Sequence, residues 1–219
     1  MSDVARFRAV LGEYQASRRL PTVVAAVLDD GEVSWTGTAG AGASSDAQFR
    51  IGSITKTMTA VLVMQARDEG LLALSDQLGR FVPESGYREA TLRHLLSHTS
   101  GMQSEPAGPW WERSPGVDLA TLNERNDGSG VVFAADTAYH YSNLGFALLG
   151  EVVARVRGAA WFEVLHAQLL EPLGMTRTTY LPQAPYAQGL SVDHLRSTLR
   201  KEPHQDTGAM APAGQLWST

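Results

Sequence analysis

The 219-residue chain has no cysteine. Disulfides, thiolate nucleophiles and cysteine-ligated zinc are excluded at once. It also lacks a long apolar run: the stretches at 60–64 and 146–149 are far too short to cross a bilayer. The opening Met-Ser-Asp-Val-Ala-Arg-Phe-Arg has neither an apolar signal core nor a small-residue cleavage pattern. The expectation is a cytoplasmic chain with no membrane partner. There is no basic surplus either, with Lys and Arg numbering 18 against 23 Asp and Glu. The net charge of −5 argues against a nucleic-acid partner. Internal repeats and low-complexity segments are also missing.

What remains is ordinary globular composition, 43% hydrophobic and 19% charged. A chain of this length buries roughly 70% of its unfolded surface. Val4, Phe7, Leu11 and Tyr14 recur at helical steps, predicting an amphipathic opening helix. Residues 22–28 and 32–38 flank Asp29-Asp30-Gly31 and read as a β-hairpin. Helical patterns follow from Ser53 to Gly70, over 91–97, from Asn143 to Arg157 and over 161–170, with a short helical candidate at 192–199. Leu74-Ser75-Asp76 reads as the cap of a further short helix. Residues 102–130 read as a long irregular segment rich in Gly, Pro, Ser, Asn and Asp, with one helical turn around 119–122, the kind of segment that often walls a pocket.

Two short patterns bear on chemistry. Ser53 and Lys56 stand three residues apart at the start of a helix, so they share a face. A serine hydroxyl becomes a nucleophile when a base takes its proton, and a desolvated lysine can be that base. The helix start adds partial positive charge and the Ser53 N–H, suited to an oxyanion. Taken alone, Ser-x-x-Lys is weak. In Tyr141-Ser142-Asn143, the outer two side chains point the same way on an extended segment. The tyrosine can serve as acid or base beside a lysine, and the asparagine can donate and accept at once. Asn143 also suits a helix N-cap.

The flanks of these patterns carry a resemblance. Phe49-Arg50-Ile51-Gly52-Ser53-Ile54-Thr55-Lys56 resembles the nucleophile segment of class C β-lactamases, D-alanyl-D-alanine carboxypeptidases and related esterases. Tyr139-His140-Tyr141-Ser142-Asn143-Leu144-Gly145-Phe146, with Leu148-Leu149-Gly150, resembles that family's Tyr-x-Asn segment. Between them, Leu92-Arg93-His94-Leu95-Leu96-Ser97-His98-Thr99-Ser100-Gly101 is similar to the family's turn. Glu171-Pro172-Leu173-Gly174-Met175-Thr176 and Ala211-Pro212-Ala213-Gly214-Gln215-Leu216-Trp217-Ser218-Thr219 are similar to later family segments. The resemblance runs from about Pro21 to Thr219, in order.

The resemblance implies an α+β, β-lactamase/transpeptidase-like fold: an antiparallel sheet flanked by helices plus a mostly helical lobe. It divides an incomplete serine hydrolase domain spanning 1–219 into three stretches. Residues 1–64 hold the opening helix, hairpin and nucleophile helix, 65–200 the helical lobe, and 201–219 the start of a return to the sheet. Ser53 would be acylated, Lys56 and Tyr141 would share proton transfer, and Asn143 would position substrate and lysine. No cofactor and no metal are implied. The substrate would be a small-molecule or peptide ester or amide, with an esterase or D-amino-acid-directed peptidase or amidase favoured. A β-lactamase, a carboxypeptidase, and an acyltransferase or peptide cyclase are alternatives within the family. A non-catalytic penicillin-recognising or binding module is the alternative from another class.

One departure stands out. The family's third motif, Lys or His followed two residues later by Gly on a strand, has no credible equivalent here. His204-Gln205-Asp206 lacks the glycine, and Thr207-Gly208 lacks the leading base. The remaining sheet strands are expected from a C-terminal part of the polypeptide or from a complementary chain. Residues 1–219 alone are expected to be nearly inactive, and robust turnover by them would contradict this.

Among the remaining candidates, Trp110 and Trp111 are expected as pocket walls. His94 and His98 have zinc-compatible spacing but no third ligand, and His98 is expected to bond within its own Thr99-Ser100-Gly101 turn. His140 is expected to be structural. Ser100 and Ser142 have no base at helical spacing, and the Gly-x-Ser-x-Gly elbow of α/β-hydrolases is missing around Ser53.

Overall fold

A computed structural model of the protein describes residues 3–42 and 44–219. The chain forms two compact units. One comprises Met1–Arg50, Pro182–Lys201 and Ser218–Thr219; the other comprises Ile51–Leu181 and Glu202–Trp217.

In the first unit, helix α1 (Asp3–Arg18) lies against a hairpin of β1 (Thr22–Asp29) and β2 (Glu32–Gly40). The Phe7 ring meets the Trp35 ring at 5.5 Å between centroids and Leu11 is buried, whereas Val4 and Tyr14 of the same expected stripe are exposed, so the helix covers only part of the apolar face that its spacing predicts. Asp30 and Gly31 both take positive φ, 49° and 84°. That is the two-residue turn whose twist matches an antiparallel pair. Thr22 pairs with Gly40 and Asp29 with Glu32, with a bulge at Val27/Leu28.

Residues 192–199 are not helical. They belong to a second hairpin, β3 (Leu190–Asp193) with β4 (Thr198–Lys201). The expectation of a helix fails because Asp193 closes a turn instead: its Oδ1 accepts from the N–H groups of Leu195 and Arg196. Ser197 takes φ 50° to complete the reversal. A side chain that bonds nearby backbone amides competes with helix formation.

The second unit is helical. Its elements are α2 (Thr55–Asp68), α3 (Leu92–Ser97), α4 (Leu119–Arg125), α5 (Asn143–Arg157), α6 (Trp161–Leu165) and α7 (Ala211–Gly214). The short helix expected after Leu74-Ser75-Asp76 is a single 3₁₀ turn, Leu78–Arg80, that starts after Gln77 instead. Helix α5 is the centre: most of its side chains from Asn143 to Val153 are buried. A helix apolar on most sides requires neighbours on most sides. Leu62 and Val63 of α2, Leu92 and Leu95 of α3, Val164 and Leu165 of α6, and Ala211 and Ala213 of α7 share its core. Gly150 lets α7 approach closely, since a Cβ there would lie 2.0 Å from Pro212 Cγ. Among the described residues no helix is long and apolar enough to cross a membrane.

Candidate active site

Ser53 sits in a single 3₁₀ turn, Gly52–Ile54, that leads directly into α2. Gly52 takes φ 52°, a backbone state that favours glycine. Lys56, the second residue of α2, follows three residues after Ser53 on the same face, and its Nζ donates to Ser53 Oγ at 3.1 Å. Ser53 is exposed, whereas Lys56 is only 5% exposed.

The start of α5 brings the second pattern to the same point. Ser142 is its N-cap, accepting from the Gly145 N–H at 3.0 Å and donating to the Gln103 carbonyl at 2.7 Å. Asn143 is thus the first helical residue and not the cap. Its side chain is released for other work. Tyr141, one residue before the cap, donates its hydroxyl to Ser53 Oγ at 2.8 Å. Ser53 Oγ therefore lies within hydrogen-bond reach of both an amine and a phenol.

Lys56 is held from several sides. Its ammonium donates to the Ala213 carbonyl at 2.5 Å and lies 4.9 Å above the centre of the Tyr141 ring. That carbonyl is fixed because the 211–217 segment is laced to α2. Thr59 Oγ1 donates to the Pro212 carbonyl, the Leu216 N–H donates to Thr55 Oγ1, and the Ile51 N–H donates to the Leu216 carbonyl. Burial disfavours the ammonium and lowers the Lys56 pKa to about 8; the negative charges of Glu105 and Glu112 pull it partly back up. At pH 7 roughly one molecule in ten then carries a neutral amine, a usable fraction for a general base.

Glu105 is the residue the sequence did not reveal. Its carboxylate accepts from Asn143 Nδ2 at 2.6 Å and from Trp111 Nε1 at 2.7 Å. Trp111, 7% exposed, is thereby tied to the site. Trp110 is 58% exposed and takes other partners: its indole N–H donates to Glu112 and the Arg113 guanidinium lies over its ring. The only hint of Glu105 was its place in the 102–130 loop. Asn143 bonds Glu105 rather than the lysine amine, and its Oδ1 is buried without a hydrogen-bond partner.

His98 also departs from its expected role. It ends α3 with φ 58°, and its ring turns away from its own turn to accept from the Ser142 N–H. His140 meets Ser104 at 3.2 Å. His94 pairs with Asp136, and among the described residues no group of three or more His, Asp or Glu side chains could hold a metal ion. A cavity of about 570 Å³, lined by Ala147, Gly150, Trp161, Tyr180 and Pro212 among others, includes none of Ser53, Lys56 and Tyr141.

The fold is of the β-lactamase/transpeptidase type. The Beta-lactamase family model matches residues 7–219, and the chain belongs to that family. It is 32% identical over 209 residues to Esterase EstB of Burkholderia gladioli, covering 84% of this chain and 53% of that protein. Its structure is similar to the octameric penicillin-binding protein homologue from Pyrococcus abyssi, with TM-score 0.84 and 26% identity, over 99% of this chain and 54% of that one. It is also similar to the D-stereospecific amidohydrolase from a Streptomyces species, with TM-score 0.82 and 27% identity, over 95% of this chain and 67% of that one. The chain spans about half the length of the curated relatives it matches.

Proposed function

We propose that the protein is a serine hydrolase that cleaves ester or amide bonds through an acyl-enzyme on Ser53. The observation that carries this reading is the convergence of Lys56 Nζ and Tyr141 Oη on Ser53 Oγ. In the acylation step, Ser53 Oγ attacks the substrate carbonyl carbon and its proton passes to the neutral Lys56 amine. The Ser53 N–H supplies one donor to the oxyanion. As the tetrahedral species collapses, the bond to the leaving group breaks and Tyr141 Oη delivers a proton to the departing oxygen or nitrogen. Water then attacks the acyl-enzyme carbonyl carbon and gives one proton to the Tyr141 phenolate; as the bond from that carbon to Ser53 Oγ breaks, the Lys56 ammonium returns a proton to Ser53 Oγ. Asn143, held by Glu105, positions the substrate; Trp111 buttresses Glu105. The second oxyanion donor is assigned to polypeptide additional to residues 1–219, a reading supported by relatives about twice as long.

The similarity to an esterase and to a D-stereospecific amidohydrolase favours esters and D-amino-acid amides over β-lactams as substrates. The protein is expected to turn over p-nitrophenyl butyrate or D-alanine p-nitroanilide faster than nitrocefin once the additional polypeptide is present. Nitrocefin as the fastest of the three would reverse the preference. Stoichiometric labelling by a fluorescent penicillin without turnover of any of the three would support a binding module instead.

A further inference from the structure

His98 touches neither Ser53 nor Lys56 through any hydrogen bond described above, yet it grips the segment that carries Tyr141 on both sides. Its backbone carbonyl accepts from the His140 N–H at 2.8 Å, one residue before Tyr141. Its ring Nδ1 accepts from the Ser142 N–H at 3.0 Å, one residue after. Between these two bonds the imidazole faces the Tyr141 ring, with centroids 4.4 Å apart and planes inclined at 35°. The Phe146 ring lies against it at 5.1 Å. One residue therefore holds the residue before, the residue after and the ring of the tyrosine.

The grip depends on three properties of His98. The positive φ of 58° at the end of α3 turns its carbonyl and side chain toward the 140–142 segment. The ring must be neutral, with the proton on Nε2, because a protonated Nδ1 cannot accept from Ser142. Burial and the nearby Lys56 charge both favour that neutral form, lowering the His98 pKa to about 4. Finally, the ring must be flat and wide enough to cover Tyr141. His94, four residues earlier and bonded to Asp136, has none of these contacts in its described hydrogen bonds.

We propose that His98 is a positioning residue that sets the register and ring orientation of Tyr141, and so the distance from its hydroxyl to Ser53 Oγ. The inference rests on the assignment of Ser53 as nucleophile and Tyr141 as its proton partner. It adds that the turn after α3 belongs to the proton-transfer apparatus through the tyrosine, not only to the packing of the helical unit.

The test combines two measurements. In the wild-type protein at pH 7, long-range ¹H–¹⁵N spectra of the His98 ring are expected to show an unprotonated Nδ1 and a protonated Nε2. A ring protonated on Nδ1, or doubly protonated, overturns the proposal whatever the activity. The second measurement is the rate of Ser53 labelling by a fluorophosphonate in His98→Asn and His98→Ala. Asparagine tolerates the left-handed backbone and places an acceptor near the position of Nδ1, but has no ring. The expected result is a loss of about a hundredfold in the limiting labelling rate for His98→Ala, the usual scale for impaired acid–base assistance. His98→Asn is expected to recover roughly tenfold of that through the retained acceptor, with the half-saturating probe concentration unchanged in both. Wild-type labelling rates in a folded His98→Asn or His98→Ala protein would overturn the proposal. If His98→Ala does not fold, the asparagine variant and the ring spectrum decide. Absence of Ser53 labelling in the wild-type protein with the additional polypeptide present would count against the nucleophile assignment, while the ring spectrum would still test His98 by itself.

Discussion

Lys56→Met is expected to slow acylation of Ser53 about a thousandfold, within the range by which positioned acids and bases accelerate proton transfer. Methionine keeps most of the lysine volume and removes only the amine. The lost contacts are those to Ser53 Oγ and the Ala213 carbonyl. With Lys56 at a pKa of about 8, the wild-type labelling rate should rise nearly tenfold per pH unit below that value and level off above it. The methionine variant should be flat across the same range. Stability should also rise with pH, but in a higher window. The folded pKa lies below the ordinary 10.5, so the unfolded chain holds the proton more tightly. Between about pH 8 and 10.5 the unfolded state binds more protons, and wild-type stability should rise with pH across that window. Lys56→Met should lack this rise and melt no lower than wild type at pH 7, because a buried charge has been removed. Stopped-flow labelling and thermal melts over pH 6 to 10 check both halves.

Tyr141→Phe separates the second proton carrier from the first. The variant loses the hydroxyl bonded to Ser53 and keeps the ring that lies under Lys56 and against His98. Its melting temperature should stay close to wild type. Acylation by an ester should slow by about a hundredfold. An amide should suffer more, because an amine leaves only after it has gained a proton, whereas an alkoxide or phenoxide leaves more readily without one. The pH inflection near 8 should survive, since it belongs to Lys56. An inflection lost in Tyr141→Phe and retained in Lys56→Met would exchange the two assignments.

The sequence carried more of this site than its short patterns promised. Helical spacing places Ser53 and Lys56 together and their flanks made the pair legible; the structure sets Ser53 in a 3₁₀ turn and Lys56 in the first turn of α2. Tyr141 and Asn143 were legible through their flanks. What escaped was everything set by contacts between distant segments. Trp111 was expected as a pocket wall, but its bond to Glu105 was not, because the two sit six residues apart in an irregular loop where no periodicity says which side chains meet. The Ala213 carbonyl lies 157 residues from Lys56, and a backbone acceptor has no residue-type signal. His98 was read within its own turn because the 140–142 segment it grips is 44 residues from it at the ring contact. In the fold, the first hairpin was announced by Asp30-Gly31, while the second was hidden because Asp193 acts on a turn inside a helix-compatible sequence. The family's third motif has no counterpart in the sequence, and the assignment of a further donor to additional polypeptide follows from that and from the length of the relatives.

The most direct test of the central claim is to find where an acylating probe lands. The protein, with the additional polypeptide present, is treated with a fluorophosphonate, digested, and the modified peptide sequenced by tandem mass spectrometry. One adduct per chain is expected, on Ser53, absent from Ser53→Ala. An adduct on Ser100, Ser142 or another hydroxyl, or undiminished labelling of Ser53→Ala, would contradict it.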